Sequence, residues 1–398
     1  MKKLLILGAG YGGLAVAQRL DALARGKSQW EVTLLDQRDY HLIQVRVHEV
    51  AANSIPAEKV KVPFSELLEG NKVTLVQAQA ERIEPQAKRV HTSTGILDYD
   101  QLVIALGSVT DYHNIPGLEE FAFGMKTLED AIDYRLAVIE AFDTVSNSDE
   151  PVLDSDPRLT FIIVGGGLTG TELAAEMVDF CKELAKHYRI ERKAYRIVLL
   201  DSGEHILSQL SPTDGEYVRQ ELRYSGVRIF TKTFIERVEA NAVYIKGNKM
   251  IHSNVICWTG GIKAPPILEE SGFDVGPSGR IPVDAYLRSP QYQNVFAIGD
   301  NALIKDRRNG SIIPQTGQYA ERQGECVAEQ LWEDDCGIKP HRYVPFSMGM
   351  AVSLGRDEAL ALSGPIRLTG IPGRLAKNAS YDNYEWTIRR RPRLLTTR

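Results

Sequence analysis

The feature that most constrains this chain is a glycine-rich turn that directly follows an apolar run. Residues 161–172 read FIIVGGGLTGTE, and Gly165, Gly167 and Gly170 have the spacing G-x-G-x-x-G. An apolar strand that enters such a turn and continues as a helix is typical of a dinucleotide-binding unit. The glycines let the backbone turn tightly, approach a pyrophosphate and pack the helix on the strand.

The same pattern occurs a second time, at the start of the chain. Residues 4–13 read LLILGAGYGG, in which Gly8, Gly10 and Gly13 repeat the spacing. A single match would be weak evidence, but two matches predict two dinucleotides bound to one polypeptide. The simplest reason to hold two dinucleotides is to pass electrons between them.

An acidic residue ends the next predicted strand after each glycine turn. Asp36 follows the strand at 30–35, and Asp201 follows the strand at 196–200. A carboxylate at this position can accept hydrogen bonds from the ribose hydroxyls of an adenosine. The charge of Asp201 would repel a 2′-phosphate, and residues 202–205 contain no arginine. We therefore predict NADH rather than NADPH at the second turn.

Three further predicted strands end in glycine, which lets the backbone pass close to a bound cofactor. A strand that ends in Gly-Asp at the carboxyl edge of a sheet suits the ribityl chain of a flavin, because the aspartate can bond a ribityl hydroxyl. These strand ends are at Gly107, at Gly260 and at Gly299-Asp300.

Composition bounds the class of protein. A chain of 398 residues with 43% hydrophobic content can bury the cores of two or three domains. The net charge of −5 gives no indication of nucleic-acid binding. No run of about 18 apolar residues predicts a membrane-spanning helix.

The cysteines indicate neither a metal site nor a redox pair. Cys181, Cys257, Cys326 and Cys336 form no C-x-x-C pair and have no metal-like spacing with histidine. We therefore predict no metal and a reducing, cytoplasmic compartment. Two histidines, His41 and His48, leave two interpretations open: residues that line a flavin pocket, or buried structural histidines with satisfied hydrogen bonds.

With these elements placed, residues 1–365 resemble the two-dinucleotide-binding-domain flavoproteins. Within that group they look most like the type II NADH dehydrogenases, single-subunit NADH:quinone oxidoreductases that do not pump protons. The resemblance implies an α/β fold similar to that of glutathione reductase, with two Rossmann-like domains. It implies an FAD domain at 1–110 and 275–330, an NADH domain inserted at 111–274, and a C-terminal region at 331–398.

The segment most specific to that family lies at residues 317–322. It reads GQYAER and resembles the quinone-site motif A-Q-x-A-x-Q, so the resemblance implies that Gln318 contacts a quinone. Gly317 stands where the family has alanine, and Arg322 stands where it has the second glutamine. Gln323 is one position late and would point about 100° away on a helix. These departures leave the quinone headgroup open.

Glu172 matches another family position, two residues after the last glycine of the second turn. The resemblance implies that it faces the meeting point of nicotinamide and flavin and takes part in quinone reduction. The alternative is that an acid in the first helical turn only complements the helix dipole.

The C-terminal region departs most from the resemblance. Residues 366–398 are polar and contain eight Lys or Arg against two Asp or Glu, a local net charge of +6. We expect them to contact an anionic leaflet peripherally, on the cytoplasmic face of a membrane. A disordered, solvated tail is the alternative. The oligomeric state is open, and a homodimer is compatible with the sequence.

The features together predict an oxidoreductase in which NADH gives a hydride to FAD and two electrons pass on to a quinone. A biosynthetic naphthoquinone reductase would use the same chemistry. A sulfide:quinone-type reductase would need cysteines at the flavin. A non-catalytic, NADH-responsive redox sensor is the alternative from a different class. The absence of cysteine before Cys181 excludes the usual disulfide reductase mechanism.

Overall fold

The computed structural model of the protein describes residues 1–24 and 29–394. Its helices are α1 (Tyr11–Ala24), α2 (Val47–Ala51), α3 (Phe64–Leu67), α4 (Leu118–Phe121), α5 (Leu128–Ser146), α6 (Leu168–Tyr188), α7 (Pro212–Tyr224), α8 (Ile267–Glu270), α9 (Gly317–Asp335) and α10 (Gly370–Leu394). Its strands are β1 (Lys2–Leu7), β2 (Trp30–Asp36), β3 (Tyr40–Leu42), β4 (Lys61–Pro63), β5 (Val73–Gln77), β6 (Ala80–Glu84), β7 (Arg89–Thr92), β8 (Gly95–Asp98), β9 (Gln101–Ile104), β10 (Val109–Thr110), β11 (Thr160–Val164), β12 (Arg196–Leu200), β13 (Arg228–Phe230), β14 (Ile235–Glu239), β15 (Ala242–Ile245), β16 (Lys249–His252), β17 (Val255–Trp258), β18 (Ile262–Lys263), β19 (Ile281–Pro282), β20 (Val295–Ala297), β21 (Ala302–Leu303), β22 (Met350–Ser353), β23 (Ala359–Ser363) and β24 (Ile366–Leu368).

The first core sheet has five parallel strands in the order β20-β9-β1-β2-β5. The four apolar residues that end β1 are buried, as expected of a central parallel strand. Leu7 lies opposite Leu35 of β2 and Ile104 of β9, and Ile104 lies opposite Ala297 of β20. The carboxyl ends of these strands therefore meet at one edge, which brings the first glycine turn and the Gly-Asp strand end together.

The second core sheet has four parallel strands in the order β13-β12-β11-β17. All five residues of β11 are buried. Val164 lies opposite Leu200 of β12 and Trp258 of β17, so the second glycine turn, Asp201 and Gly260 follow neighbouring strand ends. The predicted α/β fold with two Rossmann-like units is confirmed.

The chain passes between the two sheets through two short segments that lie side by side. Strand β10 pairs with β18 in antiparallel orientation, with Val109 opposite Lys263 and Thr110 opposite Ile262. After the second of these segments the chain returns to the first sheet, which is why that sheet contains β20, a strand distant in sequence from β1 and β9. The predicted boundaries at residues 110, 275 and 330 stay predictions.

The C-terminal region is folded. Strands β22, β23 and β24 form an antiparallel sheet, and α10 packs against α1 and β23. The side-chain amide of Gln18 on α1 donates to the carbonyl oxygens of Leu67 at 2.9 Å and of Ile388 at 2.8 Å. The alternative of a disordered tail is therefore wrong for residues 366–394. Residues 395–398 lie outside the described part. Within that part, no helix combines the length and apolarity needed to cross a membrane.

Candidate active site

The first glycine turn is built around the three predicted glycines. A Cβ at Gly8, whose φ is +93°, would lie 2.4 Å from the carbonyl oxygen of Ala105, and a Cβ at Gly13 would lie 1.8 Å from that of Gly8. These two positions therefore require glycine for chain packing. A Cβ at Gly10 would meet no atom within 4 Å. The open space beside Gly10 is where a pyrophosphate can approach the backbone.

The second glycine turn has the same construction. A Cβ at Gly165, whose φ is +112°, would lie 2.7 Å from the backbone nitrogen of Gly260, and a Cβ at Gly170 would lie 2.0 Å from the oxygen of Gly165. A Cβ at Gly167 would meet no atom within 4 Å. Each turn thus combines two glycines that pack the chain with one that faces open space.

The two strand-end acids hold the glycine turns in place. The Asp36 carboxylate accepts a hydrogen bond from the backbone N–H of Ala9 at 2.8 Å. The Asp201 carboxylate accepts bonds from the N–H groups of Gly166 and Gly203, both at 2.6 Å. Each acid therefore fixes the shape of its turn.

A polar group that the sequence analysis missed surrounds Asp300. The Ser108 hydroxyl donates to the Asp300 carboxylate at 2.6 Å, and the Lys126 ammonium donates to that hydroxyl at 2.7 Å. Lys126 Nζ also lies 3.7 Å from Asp300 Oδ2. Burial lowers the pKa of Lys126, and Asp300 opposes that effect. No motif marks Lys126, because only the fold brings it to the Gly-Asp strand end.

Glu172 is buried where α6 meets the C-terminal helix. Its carboxylate forms an ion pair with the ammonium of Lys377 on α10 and accepts the backbone N–H of Ser353 at 2.9 Å. His48 Nδ1 lies 3.9 Å from the second carboxylate oxygen. Lys377 also donates to the carbonyl of Ala351 at 3.0 Å. Glu172 therefore has specific partners beyond the dipole of its own helix.

The surroundings of Glu172 act on its acidity in opposite directions. Burial alone would raise the pKa of this carboxyl. The positive charge of Lys377, the His48 ring and the hydrogen bonds from Lys377 and Ser353 outweigh burial, so the pKa lies below its usual value. Glu172 is thus a carboxylate in the resting protein. The sequence did not predict Lys377 as a partner of Glu172, because the two are 205 residues apart and Lys377 lies on a helix that was not predicted.

The two histidines differ in their surroundings. His41 Nδ1 lies 3.1 Å from the Ala9 carbonyl oxygen and Nε2 lies 2.9 Å from the Tyr384 hydroxyl. Burial lowers the pKa of His41 to about 4, so the neutral ring donates to the carbonyl and accepts from the hydroxyl. These bonds support the interpretation of His41 as a structural histidine. His48 is also buried, but it faces Glu172.

The predicted quinone motif holds the loop that precedes β22. The Gln318 amide donates to the carbonyl of Gly349 at 3.2 Å and accepts the N–H of Met348 at 3.1 Å. Arg322 donates to the carbonyl of Phe346 at 2.7 Å and lies over its ring. Gln323 is buried and accepts the N–H of Gly299 at 2.7 Å. Gln318 and Arg322 therefore face the loop, whereas Gln323 binds the Gly-Asp strand end.

Cys257 is a buried thiol in the second sheet. Its side chain is fully buried on β17, and Sγ lies 3.9 Å from the carbonyl oxygen of Gly124. Burial raises its pKa, which disfavours the thiolate that redox chemistry requires.

We expect Cys257→Ser to keep both flavin reduction by NADH and turnover with quinone, within about twofold of the unmodified protein, because a buried neutral thiol has no chemical step to lose. Steady-state assays of the two proteins side by side make the comparison. Loss of turnover in a variant that still retains its flavin would indicate a thiol mechanism of the sulfide:quinone type.

Comparison with known proteins places this site in a family. The model of the pyridine nucleotide-disulphide oxidoreductases matches residues 2–324. The chain belongs to this family. A curated relative, the type II NADH:quinone oxidoreductase of Staphylococcus aureus, is 29% identical over 364 residues, which are 91% of this chain and 89% of that protein. The predicted resemblance to type II NADH dehydrogenases is confirmed.

Solved structures show the same fold for this member of the family. NDH2 from Plasmodium falciparum in complex with NADH matches with a TM-score of 0.88 and 16% identity, covering 99% of this chain and 97% of that one. The sulfide:quinone oxidoreductase of Aquifex aeolicus matches with a TM-score of 0.79 and 19% identity, covering 98% and 92%. At these identities the structures support the fold alone.

Proposed function

We propose that this pyridine nucleotide-disulphide oxidoreductase is an FAD-dependent NADH:quinone oxidoreductase that does not pump protons. The observation that carries the proposal is the pair of glycine turns, each with one glycine facing open space at the carboxyl edge of its own parallel sheet. The likeness to a type II NADH:quinone oxidoreductase over 91% of this chain supports quinone as the acceptor.

The first turn suits FAD. The space beside Gly10 would take the pyrophosphate, Asp36 would bond the ribose, and Asp300 would bond a ribityl hydroxyl. Ser108 and Lys126 would hold the Asp300 carboxylate in position. When bound, FAD supplies hydride acceptance and electron release. We assign to it Gly8, Gly10, Gly13, Asp36, Gly107, Gly299 and Asp300.

The second turn suits NADH. The space beside Gly167 would take its pyrophosphate, and the Asp201 carboxylate would bond the adenosine ribose and disfavour a 2′-phosphate. We assign to NADH the residues Gly165, Gly167, Gly170, Asp201 and Gly260. The side-by-side strands β10 and β18 support an inserted NADH domain at 111–274 within an FAD domain at 1–110 and 275–330.

Three side chains are proposed to act on the quinone. Glu172 and Lys377 share one proton in a buried ion pair, and the ammonium can give this proton to a reduced quinone oxygen. The buried carboxylate is then left without its cation, so the pair must regain a proton. Gln318 would bind the headgroup after exchanging one of its bonds to the Met348–Gly349 loop segment.

Rapid mixing tests the proposed function. NADH should bleach the visible flavin absorption of the anaerobic holoenzyme, and a quinone should restore it. Flavin that stays bound but is not bleached by NADH would refute the proposal. Bleaching without steady-state turnover on any benzo-, naphtho- or plastoquinone analogue would instead favour the redox sensor.

We propose that the protein also binds peripherally to the cytoplasmic face of a membrane, through an apolar face of the C-terminal region. The face consists of Met348, Ile366, Leu368, Ile371 and Leu375, which are 36–64% exposed. The Ser363 hydroxyl donates to the Met348 carbonyl, and Ser363 pairs with Ile366 across the β23–β24 ladder. The face therefore adjoins Gln318, through Met348.

The structure changes the electrostatic part of the membrane expectation. Four of the eight basic residues counted after residue 366 have carboxylate partners within the protein. Arg367 pairs with Asp214, and Lys377 pairs with Glu172. Arg374 faces Glu49 and Glu176, and Arg389 pairs with Glu66 and Glu385. The apolar face, rather than the whole local charge of +6, is the better support for membrane contact.

We expect the double variant Ile371→Glu, Leu375→Glu to bind anionic phospholipid vesicles at least about 100-fold more weakly, because each buried aliphatic side chain contributes at least about 1.5 kcal/mol. Co-sedimentation with vesicles measures the bound fraction. The matched control is Leu136→Glu, which alters a 53% exposed leucine on α5. Equal binding by both variants would refute the proposed face.

A further inference from the structure

The proposed reaction requires a proton from water, and the inference here rests on that proposed function. NADH delivers a hydride, which carries two electrons and one proton. A quinol contains two more hydrogens than the quinone, so each turnover consumes NADH, quinone and one further proton and yields NAD⁺ and quinol. If the Lys377–Glu172 pair donates a proton to the quinol oxygen, the buried pair must regain one from solvent.

A second buried carboxylate lies one helical turn beyond Glu172. Glu176 is on the same face of α6 and is fully buried. Its Oε1 accepts the hydroxyl of Ser353 at 3.1 Å. The backbone N–H of the same serine donates to Glu172 at 2.9 Å. Ser353 therefore contacts both carboxylates.

The other oxygen of Glu176 faces the surface. The hydroxyl of Ser54, a half-buried residue, donates to Glu176 Oε2 at 2.6 Å. Ser54 and Glu176 itself both line a surface pocket of about 400 Å³. The pocket is also lined by charged and polar residues that suit water, among them Arg46, Glu49, Arg356, Arg374 and Asn378.

We propose that Glu176 carries protons from this pocket to the Glu172–Lys377 pair. A water in the pocket protonates the Glu176 carboxylate through the Ser54 hydroxyl. The Ser353 hydroxyl, which bonds Glu176, turns toward Glu172 and passes the proton on. Glu172 then restores the proton that the Lys377 ammonium has given to the quinol oxygen. Only protons move, and the electrons follow the proposed NADH-to-quinone route.

Charged groups from two neighbouring segments face Glu176. Arg374 of α10 places Nη1 3.6 Å from Glu176 Oε1, and its Nη2 lies 3.5 Å from Glu49 of α2. Arg356, in the turn after β22, interacts electrostatically with Glu176. These arginines compensate the carboxylate charge in the buried site. A purely structural role for Glu176, as an anchor for Arg374, is therefore the alternative to be tested.

The test uses the holoenzyme of Glu176→Gln, with Glu183→Gln as the matched control. Glu183 is an exposed residue of the same helix, and it pairs with Arg356. In single-turnover mixing, we expect NADH to bleach the flavin of Glu176→Gln at the normal rate. Quinone reduction should be slowed about 100-fold, the effect of losing a positioned proton donor. A pH-indicator dye should report equally delayed proton uptake from the bulk.

Small weak acids separate a relay from an anchor. Formate or azide, which can enter the pocket and deliver a proton, should restore quinone reduction and dye response in Glu176→Gln. Slow quinone reduction that these acids do not restore, or a rate equal to that of Glu183→Gln, would overturn the relay. If Glu176→Gln does not fold, Ser54→Ala decides, and unchanged proton uptake in that variant would overturn the proposal.

Failure of the proposed function gives a different result. Unmodified protein whose flavin NADH does not bleach would refute the oxidoreductase itself. Normal bleaching and normal quinone reduction in both the unmodified protein and Glu176→Gln would refute only the relay.

Discussion

Gly10→Val should abolish flavin retention and leave the protein folded. A Cβ at Gly10 meets no protein atom within 4 Å, so the larger side chain has room in the ligand-free chain. We expect the free energy of unfolding of the flavin-free protein to change by less than about 1 kcal/mol. The added methyl groups occupy the space that the FAD pyrophosphate needs, so its affinity should fall about 100-fold or more, which corresponds to about 2.7 kcal/mol.

The equivalent change in the second turn serves as the matched control. Gly167→Val also enters open space, and we expect it to retain FAD while NADH loses the ability to bleach the flavin. Flavin absorbance per chain after gel filtration and stopped-flow bleaching measure the two effects. Loss of FAD in Gly167→Val, or retention of FAD in Gly10→Val, would show that the assignment of FAD to the first glycine turn and NADH to the second is wrong.

Gly13→Ala should behave differently from both. A Cβ there would lie 1.8 Å from the carbonyl oxygen of Gly8, so the helix α1 would have to move away from β1. We expect this variant to lose stability even without ligand, which separates packing glycines from ligand glycines within one motif.

Lys377→Met should destabilise the protein strongly. The ammonium is buried against the Glu172 carboxylate, and its removal leaves that carboxylate buried without its cation. Breaking such a pair from one side costs about 3–5 kcal/mol. Quinone reduction should also slow by about 100-fold, because the shared proton is lost. Urea unfolding at neutral pH measures the first effect and single-turnover mixing measures the second.

The pH dependence of the stability loss in Lys377→Met shows whether the uncompensated charge of Glu172 causes it. In the unmodified protein the pKa of Glu172 lies below its usual value. The ionised Glu172 therefore stabilises the folded protein at pH values above its pKa in the unfolded chain, and this stabilisation is lost as the pH falls through its pKa in the folded protein. Without Lys377, burial dominates and raises this pKa. The stability difference between the two proteins should therefore shrink on acidification from about pH 7 to about pH 5.

The double variant Glu172→Gln, Lys377→Met is the control for charge. It removes both members of the pair, so it should regain most of the stability that Lys377→Met loses, while quinone reduction stays slow. A double variant as unstable as the single one would mean that Lys377 acts through packing rather than through charge.

The sequence alone predicted the parts of this protein that depend on local pattern. Continuous apolar runs that end in spaced glycines specify buried parallel strands followed by tight turns, and both Rossmann-like units follow from them. The acids Asp36 and Asp201 were also predicted, because each ends a strand at a set position after a glycine turn. In the structure their carboxylates accept backbone N–H groups of the turns, from Ala9 and Gly166, and their contact with a ribose stays a prediction.

Only the tertiary structure showed what surrounds Glu172. The helix α10 contains Gly370, Pro372 and Gly373 in its first turn and has a polar composition, so its local sequence gives little helical signal. Its burial against α1 and β23 supplies the stability that local propensity lacks. That packing brings Lys377 to Glu172 and Arg374 to Glu176, over sequence separations that no motif spans. Local spacing thus determined the two glycine turns, whereas the charged site around Glu172 depends on long-range packing.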